Sequence, residues 1–152
     1  MPFTADDLHF MKEALAFARI AFSEQEVPIG AVVVSGGKMT GRGRNRREFL
    51  ADPTHHAEIE AIREAAREAG TWHLEGATLY ATVEPCVMCA GAALHARVGR
   101  LVYAAPDPRA GAIESVYRLL ADERWNHRVR THGGVLADDS RALLREFFGS
   151  RR

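Results

Sequence analysis

Short apolar strands alternate with helical segments along most of this chain, and that alternation limits the fold more than any other feature. Two apolar stripes predict a well-covered helix over 6–23: Leu8, Met11, Leu15, Ala18 and Phe22, and beside them Phe10, Ala14, Phe17 and Ala21. A strand follows over 29–35, and Gly36-Gly37 turns it into a second strand over 38–43, a hairpin. Asp52-Pro53-Thr54 reads as a helix start, with Pro tolerated in the first turn and Asp or Thr able to cap. That helix carries Ile59, Ile62, Ala66 and Ala69 on one face and stops at Gly70. A strand over 77–83 delivers the chain to Pro85, where an alanine-rich, nearly uncharged and therefore buried helix runs over 86–96. A strand over 100–105, a rigid Pro106-Asp107-Pro108 loop, a short helix over 113–120, a strand over 129–137 and a helix over 138–148 complete the order. Such alternation argues for an α/β layer fold. The connection before the last strand is long enough to hold a helix, which permits the last two strands to lie parallel.

With 152 residues, 47% of them hydrophobic, the chain has the size and composition of a single domain, residues 1–152, with a real core. Twenty basic and twenty acidic residues leave a formal net charge of zero, so a generic polyanion binder is excluded. Any nucleic-acid contact must come from a local patch. Arg42, Arg44, Arg46 and Arg47, in a loop around Asn45, offer one for phosphate. No stretch approaches the ~20 apolar residues of a membrane span. The acidic N-terminus, with Asp6 and Asp7, lacks the pattern of a signal peptide. A soluble, cytoplasmic protein without a membrane partner is expected.

The only two cysteines stand together as Pro85-Cys86-Val87-Met88-Cys89. Two cysteines so close make no disulfide framework and point to metal or redox use in a reducing compartment. A helix starting at the proline brings both onto one face, and its N-terminus makes both easier to hold as thiolates. Two thiolates do not close a tetrahedral site, and His55-His56-Ala57-Glu58 at another helix start offers a third ligand. A Cys₂His set with an open fourth position is the arrangement of a catalytic zinc, which makes bound water acidic near neutral pH. The alternative is a redox pair or buried thiols.

His-x-Glu followed by Pro-Cys-x-x-Cys is the signature of the zinc nucleobase deaminases. The likeness extends over nearly the whole chain. Glu26-Val27-Pro28-Ile29-Gly30-Ala31-Val32, Asp52-Pro53-Thr54 before His56-Ala57-Glu58, Ala77-Thr78-Leu79-Tyr80, Glu84 to Gly91, Asn126-His127-Arg128 and Phe147-Phe148 resemble the bacterial tRNA-specific adenosine deaminases. The resemblance implies a three-layer α/β/α cytidine-deaminase-like fold, its mixed five-stranded sheet ending in a parallel strand pair. It implies hydrolytic deamination of adenosine to inosine at the wobble position of a tRNA anticodon, by a homodimer with one zinc per subunit.

Carried onto this sequence, the resemblance makes His56, Cys86 and Cys89 the zinc ligands, the His-x-Glu register choosing His56 over His55. Glu58 becomes the proton shuttle. Asn45 matches a residue that contacts the base or its sugar, Asp107 an acid on a loop that packs against RNA, and Ile29 an apolar wall of the base pocket. Such a pocket requires an unpaired base. The chain departs from the family pattern at Ile113-Glu114, where a small residue and a glycine are usual, in a loop expected to face RNA. His127 is a candidate for structural work near the site, Phe147-Phe148 for packing or base stacking, and Arg151-Arg152 for a frayed basic end. The rival readings are a deaminase of a free base or nucleotide, and a deaminase-fold RNA-binding subunit without activity. The intact Glu58 argues against the latter.

Overall fold

The computed structural model describes residues 3–151. Strands β1 (Gly30–Ser35), β2 (Lys38–Arg44), β3 (Thr78–Val83), β4 (Arg100–Ala105) and β5 (Arg130–Gly133) form one sheet in the order β2-β1-β3-β4-β5. β1 is antiparallel to both β2 and β3, whereas β3, β4 and β5 are mutually parallel neighbours. The expected mixed five-stranded sheet with a parallel final pair is therefore present. Helices α1 (Ala5–Ser23) and α5 (Ala137–Gly149) pack on one face. A one-turn helix α2 (Arg47–Leu50) follows β2, and α3 (Ala57–Ala69) and α4 (Val87–His95) cover the other face. The layers are α/β/α.

Helix α1 begins with a reciprocal cap: Thr4 Oγ1 accepts from Asp7 N–H, and the Asp7 carboxylate accepts from Thr4 N–H. Its two predicted stripes merge into one buried face of Phe10, Met11, Ala14, Leu15, Ala18 and Ala21, while Leu8 and Ile20 stay exposed. Asp7 is wholly buried and also takes the Tyr80 hydroxyl at 2.8 Å and both Arg100 terminal nitrogens, at 2.7 and 2.8 Å. These bonds tie α1 to β3 and β4.

Three glycines set how closely the helices approach the sheet. A Cβ on Gly30 would lie 2.0 Å from Ala14 O, one on Gly41 2.1 Å from Ala61 O, and one on Gly43 2.0 Å from Ala57 O. Helix backbone thus rests directly on strand backbone. This contact rotates α3 from the predicted face. Ala57, Glu58, Ala61 and Ala65 are buried, Ile59, Ile62 and Ala66 are only half-covered, and Ala69 is exposed. Small residues belong where glycine meets helix, so the isoleucines fall to the flank.

Other boundaries also differ from expectation. Asp52-Pro53-Thr54 does not cap α3: Asp52 Oδ1 accepts from Thr54 N–H and Oγ1–H in a preceding turn, and His56 is the N-cap. Residues 113–120 are not a helix but turns ending in a 3₁₀ turn at Leu119–Ala121. Their first amide groups meet the Glu84 carboxylate, and the next ones, of Val116, Tyr117 and Leu119, return to Gly111 O and Ala112 O rather than four residues back. The last strand is four residues rather than nine. A Cβ on Gly133 would lie 2.3 Å from Tyr103 Cζ, and the chain then turns through positive φ at Gly134 and Leu136, dropping Val135 into the core.

Candidate metal centre and substrate cavity

Parallel pairing of β3 with β4 sends the chain out of β3 toward α4, and the first turn of α3 lies beside it. Ligands of open α/β sheets gather at such strand ends. His56 and Cys86 are the N-cap residues of α3 and α4, each with extended backbone. His56 Nδ1 lies 3.6 Å from Cys86 Sγ and 3.5 Å from Cys89 Sγ, and the three donor atoms fall within 4.8 Å of one another. A tetrahedral ion with bonds of ~2.0–2.3 Å spaces an imidazole and a thiolate ligand at roughly 3.5 Å. The donor set fits one such metal ion. His55 turns away, its Nε2 2.7 Å from Glu60 Oε2.

Because His56 precedes the helix, helical spacing does not separate it from Glu58 in the first turn of α3. Glu58 is buried at 4% exposure, and its Oε1 has no hydrogen-bond partner. An orphaned buried carboxylate oxygen beside a cluster able to hold a metal makes Glu58 a candidate functional residue. Burial pushes the Glu58 carboxyl up to about 7. The hydrogen bond with Cys86 raises the His56 imidazole.

The thiols differ from the sequence expectation, which lowered both. Cys86 is pulled down to about 4, first by the hydrogen bond with Cys89, and His56 contributes in the same direction. Cys89 is pushed up by the Cys86 hydrogen bond, by its own burial and by the Glu58 charge.

These groups open into a cavity of about 230 Å³. A recess of about 520 Å³ adjoins it, sharing Val27, Ile29, Val83, Asp107 and Phe148 as walls. Ile29, Asn45 and Asp107 all line the cavity, together with Arg47, Glu84 and Phe148. Asn45 is buried, its amide donating to Val27 O at 3.2 Å and its Oδ1 accepting from Arg47 N–H at 3.3 Å. Asp107 Oδ1 accepts from Arg109 and Ala110 N–H at 3.0 and 3.2 Å, which folds its own loop tightly.

The arginine patch is mostly committed elsewhere. Arg42 pairs with Glu64, Arg44 with Glu24 and Arg46 with Glu60, and the first two arginines belong to β2 rather than to a loop. Of the four, Arg47 alone lines the cavity. Phe147 is buried edge-on against Phe22, with the Arg151 guanidinium over its ring, whereas Phe148 is exposed at the cavity mouth. Arg151 also donates to Gln25 O; Arg152 lies outside the described residues. His127 Nε2 lies 2.8 Å from Val98 O, and His127 does not line the cavity. Ile113 turns into the core at 3% exposure and does not face a substrate.

Besides Asp7, two buried acids went unrecognised in the sequence. Glu26 accepts from Glu48 and Phe49 N–H at 3.2 and 2.8 Å, capping α2 from a distance. Glu84 gathers the amides of the 107–115 loop. The available signal was position: Glu84 directly follows the buried strand β3, where no solvated face exists for a charge.

The layered sheet, the His56/Cys86/Cys89 cluster and the buried Glu58 define a deaminase-type site, and the MafB19-like deaminase family matches residues 5–152. A tRNA-specific adenosine deaminase of Streptococcus pyogenes serotype M1 is 42% identical over 153 residues, 100% of this chain and 90% of that protein. A solved chain from structural studies of A-to-I editing by tRNA:A34 deaminases at the wobble position superposes with a TM-score of 0.86 at 45% identity. The match covers 90% of this chain and 99% of that one. A tRNA(Ile)-lysidine synthase of Deinococcus radiodurans is 52% identical over 150 residues. These are 97% of this chain, which spans only 26% of that relative's length. The chain belongs to the tRNA-specific adenosine deaminase family.

Proposed function

We propose that this protein hydrolyses adenosine to inosine at the wobble position of a tRNA anticodon. One observation carries the reading: the buried, unpartnered Glu58 oxygen beside the His56/Cys86/Cys89 cluster, at the wall of a cavity. The close likeness to tRNA adenosine deaminases directs the choice of substrate.

Two thiolates and an imidazole suit zinc, held by His56, Cys86 and Cys89. Bound there, zinc supplies the Lewis acidity that makes water nucleophilic near neutral pH. Glu58 takes one proton from the attacking water and delivers it to N1 of the adenine ring, then takes the proton of the new C6 hydroxyl and gives it to the departing amine. Water adds at C6, and ammonia leaves. Burial keeps the carboxyl of Glu58 near the pH at which it can both accept and give a proton. Ile29 walls the base, Asn45 contacts the base or its sugar, and Asp107 presents the loop that meets the RNA. The cavity admits only a base splayed out of its stack, which an anticodon loop provides.

The protein acts as a homodimer in this reading. Helix α4 leaves Val87 at 51% exposure, with Met88, Gly91 and Ala92 only half-covered, an uncharged face that a second copy would bury. No described helix is long and apolar enough to cross a membrane. A tRNA substrate and the reduced cysteines favour a cytoplasmic setting.

The test supplies zinc-loaded protein with an anticodon stem-loop bearing adenosine at the wobble position, and separately with free adenosine, guanine and cytidine. Inosine formed in the RNA is the expected result. Ammonia released from a free base or nucleoside, with the RNA unchanged, would overturn the substrate assignment.

A further inference from the structure

The carboxylate of Glu84 is 3% exposed and lies among donors. Its Oε1 accepts from Asp107 N–H at 3.0 Å and from the Ser115 hydroxyl. Its Oε2 accepts from the N–H groups of Ile113, Glu114 and Ser115 at 3.0, 2.8 and 2.9 Å. Five donors converge on two oxygens, so the group is an ionised acceptor rather than a proton donor. Gly111 completes the fit. A Cβ there would lie 2.3 Å from the Glu84 carboxyl carbon, so only glycine lets the loop close around it. Neighbouring backbone reinforces the closure: Ala112 N–H donates to Pro85 O at 2.8 Å, and Gly111 N–H to Asp107 O at 2.9 Å. The loop so gathered carries Asp107 and Ala110, both at the cavity wall. Glu84 itself stands two residues before Cys86, between β3 and α4.

We propose that Glu84 is a positioning residue: its buried carboxylate holds the 107–115 loop in register with the start of α4, so that Asp107 meets the substrate at a fixed distance from the metal cluster. Glu84 acts through the loop, not on the reacting atoms. The proposal rests on the substrate reading above in one respect only, that Asp107 faces RNA. Specificity in this cavity is then partly a backbone property, set by how many loop amides the carboxylate retains.

The experiment compares Glu84→Gln and Glu84→Asp with the wild type, and takes Ser140→Ala as a control. Ser140, on α5, donates to Thr82 O at 2.6 Å and is not among the residues that line the cavity. In Glu84→Gln one acceptor oxygen becomes a donor facing loop amides. A lost buried acceptor of this kind corresponds to about a tenfold effect. Hydrogen exchange at the amides of Ile113, Glu114 and Ser115 is expected to accelerate about tenfold, with α3 amides unchanged and zinc content retained. KM for the stem-loop is expected to rise about tenfold, with kcat altered less than threefold, and Glu84→Asp to recover part of the loss. Ser140→Ala is expected to lower Tm without that split. Faster loop exchange with unchanged KM would overturn the positioning role, as would unchanged exchange. Should the wild type leave the stem-loop unedited, the substrate reading fails by itself, and the exchange result still decides whether Glu84 holds the loop.

Discussion

His56 and Cys86 occupy equivalent places on different helices: each is the N-cap residue, of α3 and α4 respectively, and His56 Nδ1 lies 3.6 Å from Cys86 Sγ. Two helix N-termini therefore converge on one point, and their dipoles favour the thiolate form that metal binding requires. Glu58 follows in the first turn of α3 with no side-chain partner for Oε1.

Metal loss is expected to abolish turnover. Purified protein should carry about one zinc per chain, the stoichiometry of a single three-ligand site. Chelation should stop inosine formation, and added zinc should restore it. Cys86→Ser and His56→Ala should lower bound zinc in metal analysis. Full turnover after complete chelation would exclude the metal role.

Glu58→Ala is expected to keep its zinc and lose activity by at least ~10²–10⁴-fold, the usual worth of a positioned acid–base group. Two thiolates would neutralise a bound dication, so the metal would acidify water less than at an all-histidine site and leave more of the task to Glu58. Parallel metal analysis and single-turnover kinetics read both quantities. Zinc loss in this variant would make Glu58 a ligand instead.

Gly43→Ala is expected to damage the site from behind. The added methyl would meet Ala57 O at 2.0 Å, immediately after His56, so the start of α3 must lift off the sheet. Overpacking of this kind costs about 1–3 kcal/mol. Thermal unfolding should show the lower stability, and zinc affinity should fall with it. Unchanged affinity would mean that the α3 start adapts without moving His56.

Acid stability should depend on Asp7. The Arg100 hydrogen bonds, opposed by burial and aided by the Tyr80 hydroxyl, hold its carboxyl well below the usual range. A depressed folded value means the stabilisation is present above the ordinary carboxylate pKa and is lost as pH falls toward the folded one. Denaturant unfolding of Asp7→Asn between pH 6 and about 3 should therefore show a shallower loss of stability than the wild type. Arg100→Met, which strands the buried carboxylate, should cost about 3 kcal/mol at neutral pH. Equal acid slopes for Asp7→Asn and wild type would remove Asp7 from the account.

Much of this architecture is legible in local pattern. The order of strands and principal helices, the Gly36-Gly37 turn with both φ positive, and the stop at Gly70 follow from periodicity and from residues with special backbone freedom. The residues of His-x-Glu and Pro-Cys-x-x-Cys come together because each motif starts a helix beside the same strand ends. Ile29, Asn45 and Asp107 do line the cavity beside them.

By itself, the sequence determined which side chains make up the His56, Cys86, Cys89 and Glu58 cluster and which elements deliver them, because capping, periodicity and motif spacing act within a few residues. Tertiary structure alone decided which charges remain available. Arg42, Arg44 and Arg46 find Glu64, Glu24 and Glu60, partners 14 to 22 residues away that no local rule assigns, and Arg47 is left at the cavity. It also decided the face of α3, through glycines on a strand the helix does not adjoin in sequence. Residues 113–120 looked helical because their apolar spacing allows a helix. They form turns instead: around the Glu84 carboxylate, some 30 residues earlier, Val116 and Tyr117 N–H return to Gly111 O and Leu119 N–H to Ala112 O, more than the four residues back that a helix requires.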